Sequence, residues 1–296
     1  MTPAASDIWA EWLLERRHGG DTGRLQAVLA RLYPVRDKVL SRVTLGEDDV
    51  LLDVGCGDGL IAFGSLEKYQ ASRVIFADIS QDLLDHARLL AERMRVTHRS
   101  QFVLASAENL SSIPDGSVDA VTTRSVLIYI SDKPRAFQEF HRVLKSKGQL
   151  SLFEPIGRIS RRDPLDLFWG LDMSPVGEIA EKIKAAYFRG RPPETDPMLN
   201  FDERDLIAHA ESAGFGDVHL NLEVEIRPIA QDPHANMTWE ALLKSAGYPQ
   251  APTLGEVIAN ELTPREAARF ADYLRPKVEA REGTRRSAAA FLWATK

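Results

Sequence analysis

Residues 50–64 read VLLDVGCGDGLIAFG. Val50 to Leu52 form an apolar run, Asp53 ends it, glycines alternate at 55, 57 and 59, and a helical pattern follows. Apolar strand, glycine turn and helix together build the ligand-binding edge of a parallel α/β sheet. Glycine permits the sharp turn and lets a ligand approach main-chain atoms with no Cβ in the way. The order Asp53-x-Gly55-x-Gly57-x-Gly59 departs from the dinucleotide fingerprint, because Leu60 stands where its third glycine belongs. That spacing disfavours a nicotinamide oxidoreductase. With no Gly-Lys-Ser/Thr ending, the turn is not a phosphate-cradling P-loop either.

Working outward, RVIFAD (residues 73–78) reads as a second buried strand ending in an acid, and Ser80 begins the helix SQDLLDHARLLAERM. An acid about 20 residues beyond the glycines is the expected partner of vicinal ribose hydroxyls, so Asp78 is assigned that role. Ile79 is placed to lie on an adenine face. QFVLASAENL (101–110) supplies a third strand followed by Ser106, Ala107 and Glu108. Pro114-Asp115-Gly116 is a turn, and Val118 to Thr122 a fourth strand. A helix capped near Asp132, a turn at Lys147-Gly148 and a fifth strand over 149–153 complete this half of the chain.

These segments, in this order, resemble the class I (Rossmann-like) S-adenosylmethionine-dependent methyltransferases, in particular their small-molecule (type 11-like) group. The acid-x-G-x-G-x-G turn resembles that family's first motif. IPDGSVDAVTTRSVLIYI resembles its "PDxSFDxVxxxxVLxHV" phrase, and EFHRVLKSKGQLSLFEP its "REVxRVLKPGGxLxxxE" segment, with Ser146 in place of the usual proline. The resemblance runs over about 48–155. It implies a seven-stranded, mostly parallel sheet with the last strand antiparallel, flanked by helices, and S-adenosyl-L-methionine as cofactor, leaving as S-adenosyl-L-homocysteine. By the same resemblance Asp53 and the backbone of Gly55, Gly57 and Gly59 would bind the amino-acid end of that cofactor, and Asp78 and Ile79 its nucleoside. Ser106 stands where the family often has an acid facing the adenine amino group, with Ala107 and Glu108 as alternative partners. Arg124 occupies the position whose carbonyl commonly faces the cofactor ammonium, and its side chain could meet a substrate anion or pair with a neighbouring carboxylate. Tyr129 falls on the family's His of "VLxHV", as a base, an orienting group or a pocket wall. Glu154, ending strand five, is expected to point into the cleft as a proton acceptor or cation ligand, or else to form a structural ion pair. Methyl transfer to the O, N or C atom of a small organic acceptor is the expected activity. A cofactor-binding protein without turnover, and a protein or nucleic-acid methyltransferase, are the alternatives.

Outside 48–155 the reading rests on periodicity. Residues 6–18, capped by Ser6 or Asp7 and stopped by Gly19-Gly20, and 22–43, with Leu25, Val28, Leu29, Leu32 and Val39 inward and Pro34 as a kink or break, read as helices. Asp202 and Gly214 bracket another helix. Strict alternation over Val218–Ile226 reads as a strand with one wet face, and 288–295 as the last strand. Between them lie helices at about 235–246 and 263–281, the latter with a Thr263-x-x-Glu266 capping box. The resulting map is a helical lid (1–45), the cofactor-binding core (46–156), a cap insertion (157–200), core continued (201–228), a second helical insertion (229–286) that suits a cap or a dimer surface, and the final core strand (287–296). Arg158, Arg161 and Arg162 could meet an acidic substrate or be simply solvated, and Phe168, Trp169, Tyr187, Phe188 and Trp239 could line an apolar pocket or in part be simply core.

A net charge of -6 argues against a nucleic-acid surface. One cysteine, Cys56, excludes an intramolecular disulfide and a cysteine-based zinc site, and His18, His219 and His234 lack ligand spacing, so no metal is expected. His141 reads as a packing residue. No run reaches membrane-spanning length and the first residues lack a signal layout, so a cytoplasmic protein with a small-molecule substrate, no membrane partner and room for a homodimer is expected.

Overall fold

The computed structural model describes residues 7–19, 21–70, 72–160, 167–189, 192, 195–232 and 238–296. In chain order the helices are α1 (Ile8–Glu11), α2 (Thr22–Leu40), α3 (Leu60–Lys68), α4 (Gln81–Arg93), α5 (Lys133–Val143), α6 (Gly157–Ser160), α7 (Gly177–Phe188), α8 (Glu203–Ala213), α9 (Trp239–Lys244), α10 (Leu254–Glu261) and α11 (Pro264–Glu279). The strands are β1 (Val50–Val54), β2 (Arg73–Asp78), β3 (Ser100–Leu104), β4 (Val118–Arg124), β5 (Leu144–Pro155), β6 (Gly216–Pro228) and β7 (Thr284–Thr295). They form one seven-stranded sheet ordered β3-β2-β1-β4-β5-β7-β6. Strands β1 to β5 pair in parallel, and β7 runs antiparallel to β5. The seven-stranded, mostly parallel sheet with an antiparallel last strand that the resemblance implies is therefore present.

Helix ends follow their caps. Ser80 accepts from the Leu83 N–H to open α4, and Asp132 accepts from the Arg135 N–H to open α5. Asp202 and Asp205 form a reciprocal box at α8, which Gly214 stops in the left-handed conformation at φ 95°. Thr263 and Glu266 form the expected box at α11. Helix α10 was not expected, although Thr253 and Glu256 form the same reciprocal box. Pro34 neither breaks nor ends α2, which continues to Leu40 because Val39 and Leu40 are anchored in the core. Leu25, expected inward on that helix, is 38% exposed. The first helix is a short α-turn capped by Asp7 and continued as a π-helix over Trp12–Arg16. Ser6 and Gly20 lie outside the described residues.

The chain divides into two compact units. One comprises Tyr33–Ile156, Phe201–Glu223 and Ala288–Lys296 and holds the sheet core. There Leu51, Val74, Phe76, Ile61, Leu66 and Ala120 pack without solvent contact between strands and helices. Parallel strands are apolar on both faces because helices cover both. The second unit comprises Met1–Leu32, Gly157–Asn200 and Val224–Ser287. Its own core joins Phe168, Ile179, Ile183, Trp239, Phe270 and Leu274. Phe168 and Trp239, read as pocket-lining candidates, are buried in that core, and Trp169 and Tyr187 pack against it. Arg158 is exposed, while Arg161, Arg162 and His234 lie outside the described residues.

On α5 a buried carboxylate ties a loop to the sheet unit. Glu139 accepts the Leu110 N–H at 2.8 Å, Arg142 at 2.8 and 3.1 Å, and Arg135 at 3.0 Å. The Arg142 guanidinium holds this carboxyl below the usual range. Replacement by alanine leaves a buried N–H and a guanidinium without their acceptor. Glu139→Ala is expected to lower the unfolding free energy by about 2 kcal/mol, read as a lower urea midpoint at unchanged slope.

Candidate functional site

The glycine turn opens at the carboxyl end of β1. Gly55, Gly57 and Gly59 take φ of 64°, 55° and 83°, a region that side-chain-bearing residues enter at a cost. A Cβ on Gly55 would strike the Val126 side chain, and one on Gly59 would stand 2.5 Å from the Phe63 ring. The turn is pinned from β2: the Cys56 N–H donates to the Ala77 carbonyl at 3.0 Å, and the Gly57 N–H to Asp78 Oδ2 at 2.8 Å. Asp78 Oδ1 accepts the Ser80 N–H at 2.9 Å. Asp78 is 5% exposed, whereas Ile79 beside it is 49% exposed and Leu104, its register neighbour's side chain on β3, 56%. An acid anchored at the tip of β2 thus lies between a bare backbone turn and two exposed apolar side chains.

Asp53 is buried and accepts the Thr122 hydroxyl at 2.8 Å. Burial raises its carboxyl to about 7, against the Thr122 hydrogen bond and the charge of Arg124, which lower it. Arg124, half-exposed at the end of β4, therefore acts on Asp53 electrostatically. Asp58, between Gly57 and Gly59, was not singled out from the sequence. Its Oδ1 is buried with no hydrogen-bond partner among the described residues. An orphaned acceptor beside a bare backbone turn suits a ligand bringing its own donors.

After β3, the Ser106 hydroxyl accepts the Glu108 N–H at 3.2 Å, and Ala107 is buried. Glu108 is committed elsewhere: its Oε1 accepts the Asp132 N–H at 3.0 Å, beside the start of α5. His141 packs edge-on against Phe215 with ring centres 5.1 Å apart, as a packing residue would.

Glu154 is not in a cleft. It is wholly buried, and its carboxylate accepts the N–H groups of Val126, Leu127 and Ile128 at 2.8, 2.9 and 3.1 Å. Those donors enter a one-turn 3-10 helix, Leu127–Tyr129, that carries the half-buried Tyr129. Strand-end position suggested an open acid; the chain instead folds a loop over it, and the loop's unpaired N–H groups take both oxygens. Ser125, at φ 56°, makes the tight reversal that brings them there. Glu154 therefore acts on loop position, with both carboxylate oxygens engaged by backbone N–H groups.

Burial raises the Glu154 carboxyl from 4.5 to about 7. The folded chain then holds a proton that the unfolded chain has released over this interval, so stability falls as pH rises through it. Relative to Glu154→Gln, the wild-type chain is expected to lose up to about 3 kcal/mol between the two values, checked by urea unfolding across pH.

Residues 52–152 match a family model described as a methyltransferase domain. A malonyl-[acyl-carrier protein] O-methyltransferase of Methylovorus sp. (strain MP688) is 33% identical over 128 residues, 42% of this chain and 43% of that protein. A tRNA 5-carboxymethoxyuridine methyltransferase of Escherichia coli K12 is 29% identical over 147 residues, 49% of this chain and 54% of that one. The chain thus spans about half the length of these curated relatives. The geranyl diphosphate C-methyltransferase of Streptomyces coelicolor A3(2), solved with Mg2+, geranyl-S-thiolodiphosphate and S-adenosyl-L-homocysteine, shares the fold with a TM-score of 0.50 at 16% identity, covering 88% of this chain and 75% of that one. Motif, sheet order and sequence match coincide on one segment: residues 52–152, which carry the glycine turn and strands β1 to β4, are similar to the methyltransferase domain.

Proposed function

We propose that this protein transfers a methyl group from S-adenosyl-L-methionine to a small organic acceptor by in-line displacement. The observation that carries the reading is the anchored acid of β2 beside the glycine turn, with the orphaned Asp58 oxygen next to it. On this reading Asp78 takes the ribose hydroxyls, and Ile79 lies on the adenine, with Ser106 and Ala107 at its edge. The amino-acid end rests over Gly55 and Gly57, where Asp53 and Asp58 favour an ammonium group. Bound there, the sulfonium supplies an already activated methyl group. The chain's task is then to align the acceptor and exclude water rather than to supply strong acid or base. Tyr129, on the turn that Glu154 holds, is the side chain offered for orienting an acceptor or taking its proton, with Arg124 as the group for an anionic acceptor. Glu154 itself is assigned a positioning role.

A nucleic-acid acceptor is the second reading, favoured by the likeness to the Escherichia coli tRNA methyltransferase. The net charge of -6 weighs against it, because phosphate-rich ligands are met by basic surfaces. Transfer of labelled methyl to small carboxylic acids, phenols and amines in one panel, and to bulk tRNA in another, separates the two. Binding with no transfer to either would leave a protein that holds the cofactor without turning it over.

The site itself is tested by calorimetry with S-adenosyl-L-homocysteine. Asp78→Asn is expected to weaken binding about ten- to hundredfold with the far-ultraviolet spectrum unchanged, since the amide loses one acceptor and the charge. Equal affinity in the variant would remove Asp78 from the site, and no binding to the wild-type chain would overturn the assignment.

A further inference from the structure

Where β6 ends and β7 begins, charged side chains of the second compact unit gather without neutralising one another. Arg227 on β6 pairs with Glu225 on the same strand. Arg285 on β7 lies 3.6 Å from Glu225 and 2.7 Å from the buried Asp232. Arg281, just after α11, donates through Nη2 to the carbonyls of Ile229 and Asp232. Arg31 on α2 feels the charges of Arg285, Asp232 and Glu225. Among the described residues of this cluster, four guanidinium groups face two carboxylates. The whole chain carries a net charge of -6, so this local positive excess runs against its composition.

Donors also outnumber acceptors. Arg281 Nε is buried with no hydrogen-bond partner, and the guanidinium of the half-buried Arg31 has neither a hydrogen bond nor an ion pair among the described residues. Burial and then the like charge of Arg285 pull the Arg31 guanidinium below its usual range, against Asp232 and Glu225, which raise it. A guanidinium cannot shed its proton near neutrality, so a partly buried one without an acceptor is costly.

The carboxylates at hand leave that acceptor missing. Asp232 is 1% exposed and takes Arg285, while Glu225 is divided between Arg227 and Arg285. The backbone around them is fixed, since the Ile229 N–H donates to the Gly283 carbonyl and the Asp232 N–H to the Ile229 carbonyl, both at 3.0 Å. Arg31, Arg281 and Arg285 are each half-buried, partly dried yet open to a solute. An oxyanion would bring acceptors for Arg31 and a negative charge beside Arg285. The planar forks of arginine match carboxylate and phosphate groups two bonds at a time.

We propose that Arg31, Arg281 and Arg285 form an oxyanion site that takes the phosphate or carboxylate group of a small ligand. This does not depend on the reaction proposed above. Calorimetry of the full chain at low chloride, with inorganic phosphate in one series and succinate in another, tests it and tells the two chemistries apart. At least one of them is expected to bind at about one ion per chain and to raise the melting temperature. Arg31→Gln is expected to weaken that binding at least about tenfold, with an unchanged circular dichroism spectrum. Arg31→Lys keeps the charge, loses the fork and is expected to fall between the two. Glu225→Gln removes a carboxylate that competes for Arg285 and is expected to tighten binding about threefold or more. Failure of both anions to bind the wild type at about 10 mM, affinity indifferent to Arg31→Gln, or weaker binding in Glu225→Gln would each overturn the proposal.

Discussion

Parallel strands end in backbone groups that no neighbouring strand can pair, and at this sheet's carboxyl edge buried carboxylates take them up. Asp78 receives the N–H groups of Gly57 and Ser80, and Glu154 those of Val126, Leu127 and Ile128. Asp53 receives the Thr122 hydroxyl. Each of these acids lies at a strand end and is at most 5% exposed. Their burial is costly, as the raised Asp53 and Glu154 carboxyls register, and is offset because unpaired buried N–H groups would cost as much or more.

The consequence is a rigid rim. The loop after β4 contains Ser125 in the left-handed region, a conformation costing on the order of 1 kcal/mol or more that persists only where its surroundings impose it. Glu154 imposes it from below. The glycine turn is held in the same manner from β2, so its backbone stands fixed before any ligand arrives. For chemistry that consists of alignment, a scaffold already in position is the main protein contribution.

The strands, the glycine turn and Asp78 were legible because each is a local pattern: an apolar run, a small residue at fixed spacing, an acid at a strand end. Caps at Ser80, Asp132, Asp202 and Thr263 were legible for the same reason. Helix α10 was missed although its Thr253–Glu256 box carries that signal, and Pro34 was over-read, since one lost hydrogen bond did not outweigh the anchoring of Val39 and Leu40. The alternation of β6 gave its conformation correctly and its burial wrongly, because alternation identifies which residues share a face and not what lies against it. Phe168 and Trp239 show the converse case, aromatic residues whose place in a core no spacing disclosed.

Sequence alone determined the order of elements, the turn that opens the site and the acid beside it, because those depend on backbone conformation within a few residues. Tertiary structure decided what each strand-end acid does. Glu154 and Asp78 hold equivalent places in the chain, yet one is sealed beneath a loop and the other flanks exposed apolar side chains. The difference arises from donors contributed by residues 28 positions away for Glu154 and 21 for Asp78. Whether a carboxylate meets a ligand or a loop depends on which chain segments arrive over it, and that is a property of the assembled sheet.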